Sequence, residues 1–258
     1  MALCAAMTTP LHQDLVFHGP LSGERAARLI ASLDVQPGER VLDLGCGWAE
    51  LLLRVLEAQP GATGIGVDLG EDDIERAREL AESRGLAERT TFTVGDAAQW
   101  SGEPVDVALN LGASHVFGGD PAEHTAKTLA AYAQRLAPGG RLLLGEGFWR
   151  TPPSAAAMEF FGGDTGQYTT LGELVELAHE HGYRTLAVSE ASVDEWDEFQ
   201  FGYLLGYERH LLEHPDDAEI RARSDMFRTT YLSGWRGVMG MAYLTLVKAP
   251  SAGAAAGA

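Results

Sequence analysis

Short apolar runs recur along the first half of the chain, each closed by glycine or an acid. Each run is followed by a segment whose apolar residues return every three or four positions. The runs predict strands over 40–44, 63–67, 105–111 and 141–144, and the β-branched stretch 90–94 predicts another. The intervening periodicity predicts helices over 49–58, 72–83 and 121–136. Ahead of them, Ser22 offers a cap to a helix carrying Ala26, Leu29, Ile30 and Leu33 at helical spacing. Gly85 is placed as a left-handed cap after 72–83, and Pro138-Gly139-Gly140 as a turn. Beyond 144 the rhythm changes. Residues 145–168 read as irregular and aromatic, 171–181 as a helix and 183–189 as a sixth strand. Residues 194–235 read as helical but interrupted at Gly202, Gly206 and Pro215, and 238–247 as a final strand. Strands alternating with helices imply an α/β fold with a mostly parallel, doubly wound sheet, and a helical cap inserted between the last two strands, over the carboxyl ends where ligands bind.

At 258 residues the chain is long enough for one α/β domain with its own core. Nineteen Lys and Arg against 37 Asp and Glu give a net charge of −18, a surface that repels phosphate backbones and anionic lipids. Nucleic acid and membrane are therefore not expected partners. Two cysteines, Cys4 and Cys46, make neither a disulfide framework nor a zinc site. No stretch reaches the length of a membrane span, and the apolar start at 1–7 is too short and lacks the basic residue of a signal peptide. A cytoplasmic protein is expected, with a disordered Ala/Gly-rich tail over 251–258.

Candidate chemistry centres on Val41-Leu42-Asp43-Leu44-Gly45-Cys46-Gly47, a strand, a glycine turn and a helix start. Cys46 is compact filler in that turn. Twenty-one residues beyond Gly47, Asp68 ends the second strand, where an acid is placed to hold both hydroxyls of a ribose. A dinucleotide turn would carry a third glycine at position 50, which is Glu50. Asp43 would repel a pyrophosphate but suits a cofactor with an ammonium group, which favours S-adenosylmethionine. Asp96, in Gly95-Asp96-Ala97, is placed to accept a hydrogen bond from an adenine amino group.

These pieces, with Val67-Asp68 and Leu136-Ala137-Pro138-Gly139-Gly140, follow one another in register over 35–147, and there the sequence resembles the class I S-adenosylmethionine-dependent methyltransferases of small-molecule type. The resemblance implies a Rossmann-like, seven-stranded sheet with an antiparallel last strand. It implies a single methyltransferase domain over 1–250, divided into an N-terminal segment (1–34), a cofactor-binding core (35–147), a substrate-side region and helical cap (148–236) and the last strand (237–249). It also implies roles: Asp43 and the backbone of Gly45, Cys46 and Gly47 at the methionine moiety, Asp68 at the ribose, and Leu69 against the adenine. Asp96 and Ala97 would meet the adenine edge and Asn110 the methionine end, while the segment containing Phe17 and His18 would fold over the cofactor.

Methyl transfer from a sulfonium is an in-line displacement in which alignment and water exclusion dominate, and an oxygen, sulfur or carbon acceptor must also lose a proton. His115, after the fourth strand, is either that base or a loop histidine packed on Phe117. His18 is either a second base or a surface histidine beside a turn. Glu146, ending the fifth strand, would bind an acceptor amine or accept a proton. Trp149, Phe160, Phe161, Tyr168, Trp196, Phe199, Tyr203 and Tyr207 divide between cap core and acceptor pocket. Residues 110–113 lack the Asn-Pro-Pro-aromatic run of nucleic-acid amino methyltransferases, and no metal cluster stands out. The expected activity is methyl transfer to N, O, S or C of a small bacterial metabolite or natural product, by a monomer or homodimer, leaving S-adenosylhomocysteine. The alternative is a cofactor-binding protein without methyl transfer, a cyclase or partner subunit. A nicotinamide oxidoreductase is disfavoured by Glu50.

Overall fold

A computed structural model describes residues 14–161, 163 and 166–250. Cys4, the apolar start and the tail expected at 251–258 lie outside the described residues. The chain divides into two compact units. One holds 23–148, 165–190 and the chain from 241, and contains the body of the sheet. The other holds the chain up to 22 together with 149–164 and 191–240.

In the sheet unit, α1 (Gly23–Leu33) leads to β1 (Arg40–Leu44), α2 (Glu50–Ala58), β2 (Thr63–Asp68), α3 (Glu71–Ser83) and β3 (Thr90–Val94). Then follow β4 (Val105–Leu111), α4 (His124–Arg135), β5 (Leu136–Trp149) and, after α5 (Ala155–Phe160) of the other unit, α6 (Leu171–Glu180). The seven strands are ordered β3-β2-β1-β4-β5-β7-β6, with β6 (Tyr183–Glu190) and β7 (Met239–Lys248) antiparallel to each other. β1 pairs in parallel with both β2 and β4, so the strand order reverses beside it. At such a reversal the two flanking crossovers leave in opposite directions and open a crevice at the carboxyl ends of the strands. The apolar runs of β1 and β4 occupy the sheet centre, buried on both faces, whereas threonine-rich β3 forms the exposed edge.

Leu42, Leu44, Ala108, Leu142 and Leu144 carry the core from strand to strand, and Tyr132 and Tyr183 fill it from outside. Each buried phenol donates to a backbone carbonyl, Tyr132 to Leu109 at 2.9 Å and Tyr183 to Leu129 at 3.0 Å, so neither leaves an unpaired hydroxyl. Glu50, the residue that breaks the dinucleotide pattern, is buried at the start of α2. Its carboxylate accepts from Arg54 at 2.7 Å and from Arg84, past the end of α3, at 2.6 Å.

Three expectations need correction. Strand five starts earlier than 141: Leu136 already pairs with Val105 and Arg141 with Val107, and the turn at 136–140, with Gly139 at φ 74°, bulges from within it. The strand also runs on through residues 145–149, which read as irregular. In the second unit, α7 (Val193–Glu213) passes through Gly202 and Gly206 without a break, and only Pro215 separates it from α8 (Ala218–Thr230). A capping box of Ser192 and Glu195 starts α7, and Gly202 lies where a Cβ would run into Leu15. Ser22 ties the chain ahead of α1 to the start of α7. Its backbone N–H and its Oγ both donate to Glu195, at 3.0 and 2.6 Å. A π-helical turn, Tyr231–Trp235, ends the insertion. Among the described residues no helix is long and apolar enough to cross a membrane.

Candidate active site

The glycine turn after β1 folds tightly because Gly45 and Gly47 adopt φ of 79° and 53°, and Ala49 follows at 56°. A Cβ on Gly45 would stand 2.7 Å from that of Ala113, so the residue is fixed by space as well as by dihedral. The Gly45 amide donates to Val67 O at 2.8 Å, which ties the turn to the end of β2. Trp48 is buried beneath the turn, with the Arg76 guanidinium 4.2 Å over its ring.

Asp68 is held from two sides: Gly47 N donates to its Oδ2 at 2.8 Å and Gly70 N to its Oδ1 at 2.9 Å. A carboxylate oxygen has two lone pairs, so each keeps one for a further donor. Leu69, next in the chain, is exposed. Asp43, on β1 beside β2, is buried. Burial, and then the charge of Asp68, push its carboxyl up to about 8. An ammonium there would relieve both effects. The Cys46 thiol is pushed far up by burial, which makes it inert packing; it lies 2.9 Å from where a Cβ of Gly66 would be. Asp96 caps the short turn after β3, its Oδ1 accepting from Ala98 N at 2.9 Å, and Ala97 is buried beside it. Asn110 is fully buried at the end of β4, its amide nitrogen 3.5 Å from Leu44 O. The sheet unit thus brings Asp43, Asp68, Leu69, Asp96 and Asn110 to the carboxyl ends of adjacent strands.

A second group sits at the ends of β4 and β5. Glu146 is 6% exposed, and burial pushes its carboxyl above the ordinary range. The Ser114 hydroxyl donates to one oxygen and Gly147 N to the other at 3.2 Å, with Thr125 as a further donor. The ring of Tyr168 lies 2.7 Å from where a Cβ of Gly147 would be. Burial, then Glu146, push its phenol up to about 12. Ser114 and Thr125 were not legible as site residues. The single local signal is that Ser114 follows Asn110 by four positions on the turn leaving β4, where its hydroxyl is 3.4 Å from the Asn110 amide oxygen.

His115 is exposed on that same turn, and Phe117 packs edge-on against Tyr132 at 5.8 Å. Phe17 and His18 belong to the other unit, where Phe17 is buried and the His18 ring hydrogen-bonds the Tyr203 hydroxyl. Among the described residues no group of three or more His, Cys, Asp or Glu is placed to hold a metal ion.

Residues 36–158 match the profile of a family described as a methyltransferase domain. The chain is 33% identical over 236 residues to the uncharacterized protein YjhP of Escherichia coli (strain K12), covering 89% of this chain and 93% of that one. It is similar to a SAM-dependent methyltransferase from Geobacter sulfurreducens solved in complex with S-adenosyl-L-homocysteine. That likeness has a TM-score of 0.81 and 32% identity, over 92% of this chain and 95% of the other. A SAM-dependent methyltransferase from Thiobacillus denitrificans, also in complex with S-adenosyl-L-homocysteine, gives 0.81 at 33% identity over 93% and 99%.

Proposed function

The chain belongs to the class I S-adenosylmethionine-dependent methyltransferases, and on that premise we propose that it methylates a small bacterial metabolite or natural product in the cytoplasm. The observation that carries the cofactor assignment is Asp68, pre-oriented by two backbone donors with one lone pair left on each oxygen. Asp43 holds the ammonium, the backbone of 45–47 lies along the methionine moiety, and Asn110 borders it. Leu69 covers the adenine face, and Asp96 with Ala97 meets its amino edge. When bound, S-adenosylmethionine supplies a methyl on a cationic sulfur.

The small-molecule acceptor is supported by the net charge of −18, which sets a surface field against nucleic acid. Glu146 is the proton acceptor of this reading. Its carboxyl is desolvated, so its proton affinity lies nearer that of an acceptor hydroxyl or amine, and Ser114 and Gly147 fix its direction. His115 stands second, because it is exposed on the turn that carries Ser114.

Labelled-methyl transfer to a panel of small hydroxyl, amine and thiol acceptors tests the proposal. Glu146→Gln should lower turnover by about 10²-fold or more while S-adenosylhomocysteine affinity is kept. Turnover equal to wild type in Glu146→Gln, with a loss in His115→Ala, would move the role to His115. Tight cofactor binding with no transfer across a broad panel would contradict the activity itself.

A further inference from the structure

The insertion unit carries an aromatic cluster whose polar atoms lack partners. Trp196 and Gln200 lie one turn apart on the same face of α7, and Trp235 closes the π-helical turn. The two indoles meet edge to face at 5.3 Å. Phe160 stacks on Trp235 at 6.0 Å, Phe161 meets it edge-on at 5.6 Å, and Phe199 lies 6.2 Å from Trp196. Trp196, Gln200 and Trp235 are 9%, 5% and 4% exposed, yet both indole Nε1 atoms and the Gln200 Oε1 have no hydrogen-bond partner. Most buried polar groups are paired, so three orphans on neighbouring parts of one cluster call for partners. π-Helical turns are rare and frequently lie at functional sites.

The orphans also state what the partner must be. They comprise two donors and one acceptor. A hydroxyl has two lone pairs and one proton, so it can meet an indole N–H as acceptor and the amide oxygen as donor. The surrounding rings supply edges and faces suited to a flat apolar body. We infer that this cluster binds a hydroxylated aromatic ring through Trp196, Trp235 and Gln200. Met, Leu or Phe at position 200 would make a drier core, so the amide marks a recognition site rather than packing alone.

The test uses the full chain labelled with ¹⁵N at tryptophan, which gives five indole N–H signals. Trp196→Phe and Trp235→Phe assign two of them and keep the rings. Titration with 4-methylphenol should move those two signals downfield, toluene should not, and Gln200→Met should weaken 4-methylphenol binding about tenfold or more. Unmoved signals at millimolar 4-methylphenol, or equal movement with toluene, would overturn the inference; the first result means the orphans are met by water only. Binding of 4-methylphenol by a chain that fails to bind S-adenosylhomocysteine would sink the proposed function while leaving the ring site standing.

Discussion

Asp43 and Asp68 lie on adjacent strands, and burial plus mutual repulsion hold the Asp43 carboxyl protonated up to about pH 8. An ammonium partner needs the carboxylate, so cofactor capture below that pH must expel a proton. We expect S-adenosylhomocysteine binding at pH 6.5 to release close to one proton. This is measured by calorimetry in buffers of different ionisation enthalpy, with affinity rising as pH approaches 8. Asp43→Asn should abolish the release. A binding heat independent of buffer in the wild-type protein would show that Asp43 does not face the ammonium. The same burial that tunes Asp43 makes Cys46 unreactive, so its place in the turn is a matter of volume.

At the scale of elements, Glu50 links the first turn of α2 to Arg84, just past α3. Removing one arginine leaves a buried carboxylate with Arg54 alone. Arg84→Ala should therefore destabilise the protein by about 1–3 kcal/mol in urea unfolding. A change below about 0.5 kcal/mol would show the pair to be incidental. Glu50 also illustrates what sequence can tell. Its presence excludes the dinucleotide turn, but its partner lies 34 residues away and no local pattern announces it. Strands β1, β2 and β4 were legible because apolar residues run up to a glycine or an acid, β3 because it is rich in β-branched residues, and Asp43 and Asp68 because they occupy strand ends. The length of β5 was hidden by Gly145 and Gly147. They read as irregular, yet they sit there because Leu111 and Tyr168 pack where their side chains would be. The group around Glu146 draws Ser114, Thr125 and Tyr168 from separate elements, so it is visible only after folding. Gln200 gave one faint sign, an amide four residues from Trp196 on an otherwise aromatic face.

At the scale of the whole molecule, the net charge of −18 and the carboxyls raised by burial act together on stability. Asp43 has its pKa raised in the folded chain, from an ordinary 3.8 to about 8, so folding takes up a proton throughout that interval. Its contribution is fully present below the unfolded pKa and is lost as pH rises toward 8. Glu146 acts in the same direction. Asp197 and Asp217 are lowered, so their contribution fades only as pH falls below the ordinary carboxylate range. The cofactor-free protein should therefore lose urea stability between pH 5 and pH 8, with a slope of up to about 1.4 kcal/mol per pH unit from Asp43. Asp43→Asn should flatten it, and added salt should recover part of the loss by screening the acidic surface. Stability rising over that interval would contradict the buried-acid reading.

The central claim is that Asp68 and the turn after β1 form the cofactor site of a methyltransferase, and calorimetric titration of S-adenosylhomocysteine tests it most directly. The wild-type chain should bind S-adenosylhomocysteine and not NAD, and Asp68→Ala should lose about 10²- to 10⁴-fold in affinity, the worth of two charge-assisted hydrogen bonds. Binding of NAD in place of S-adenosylhomocysteine, or full affinity in a folded Asp68→Ala protein, would contradict it.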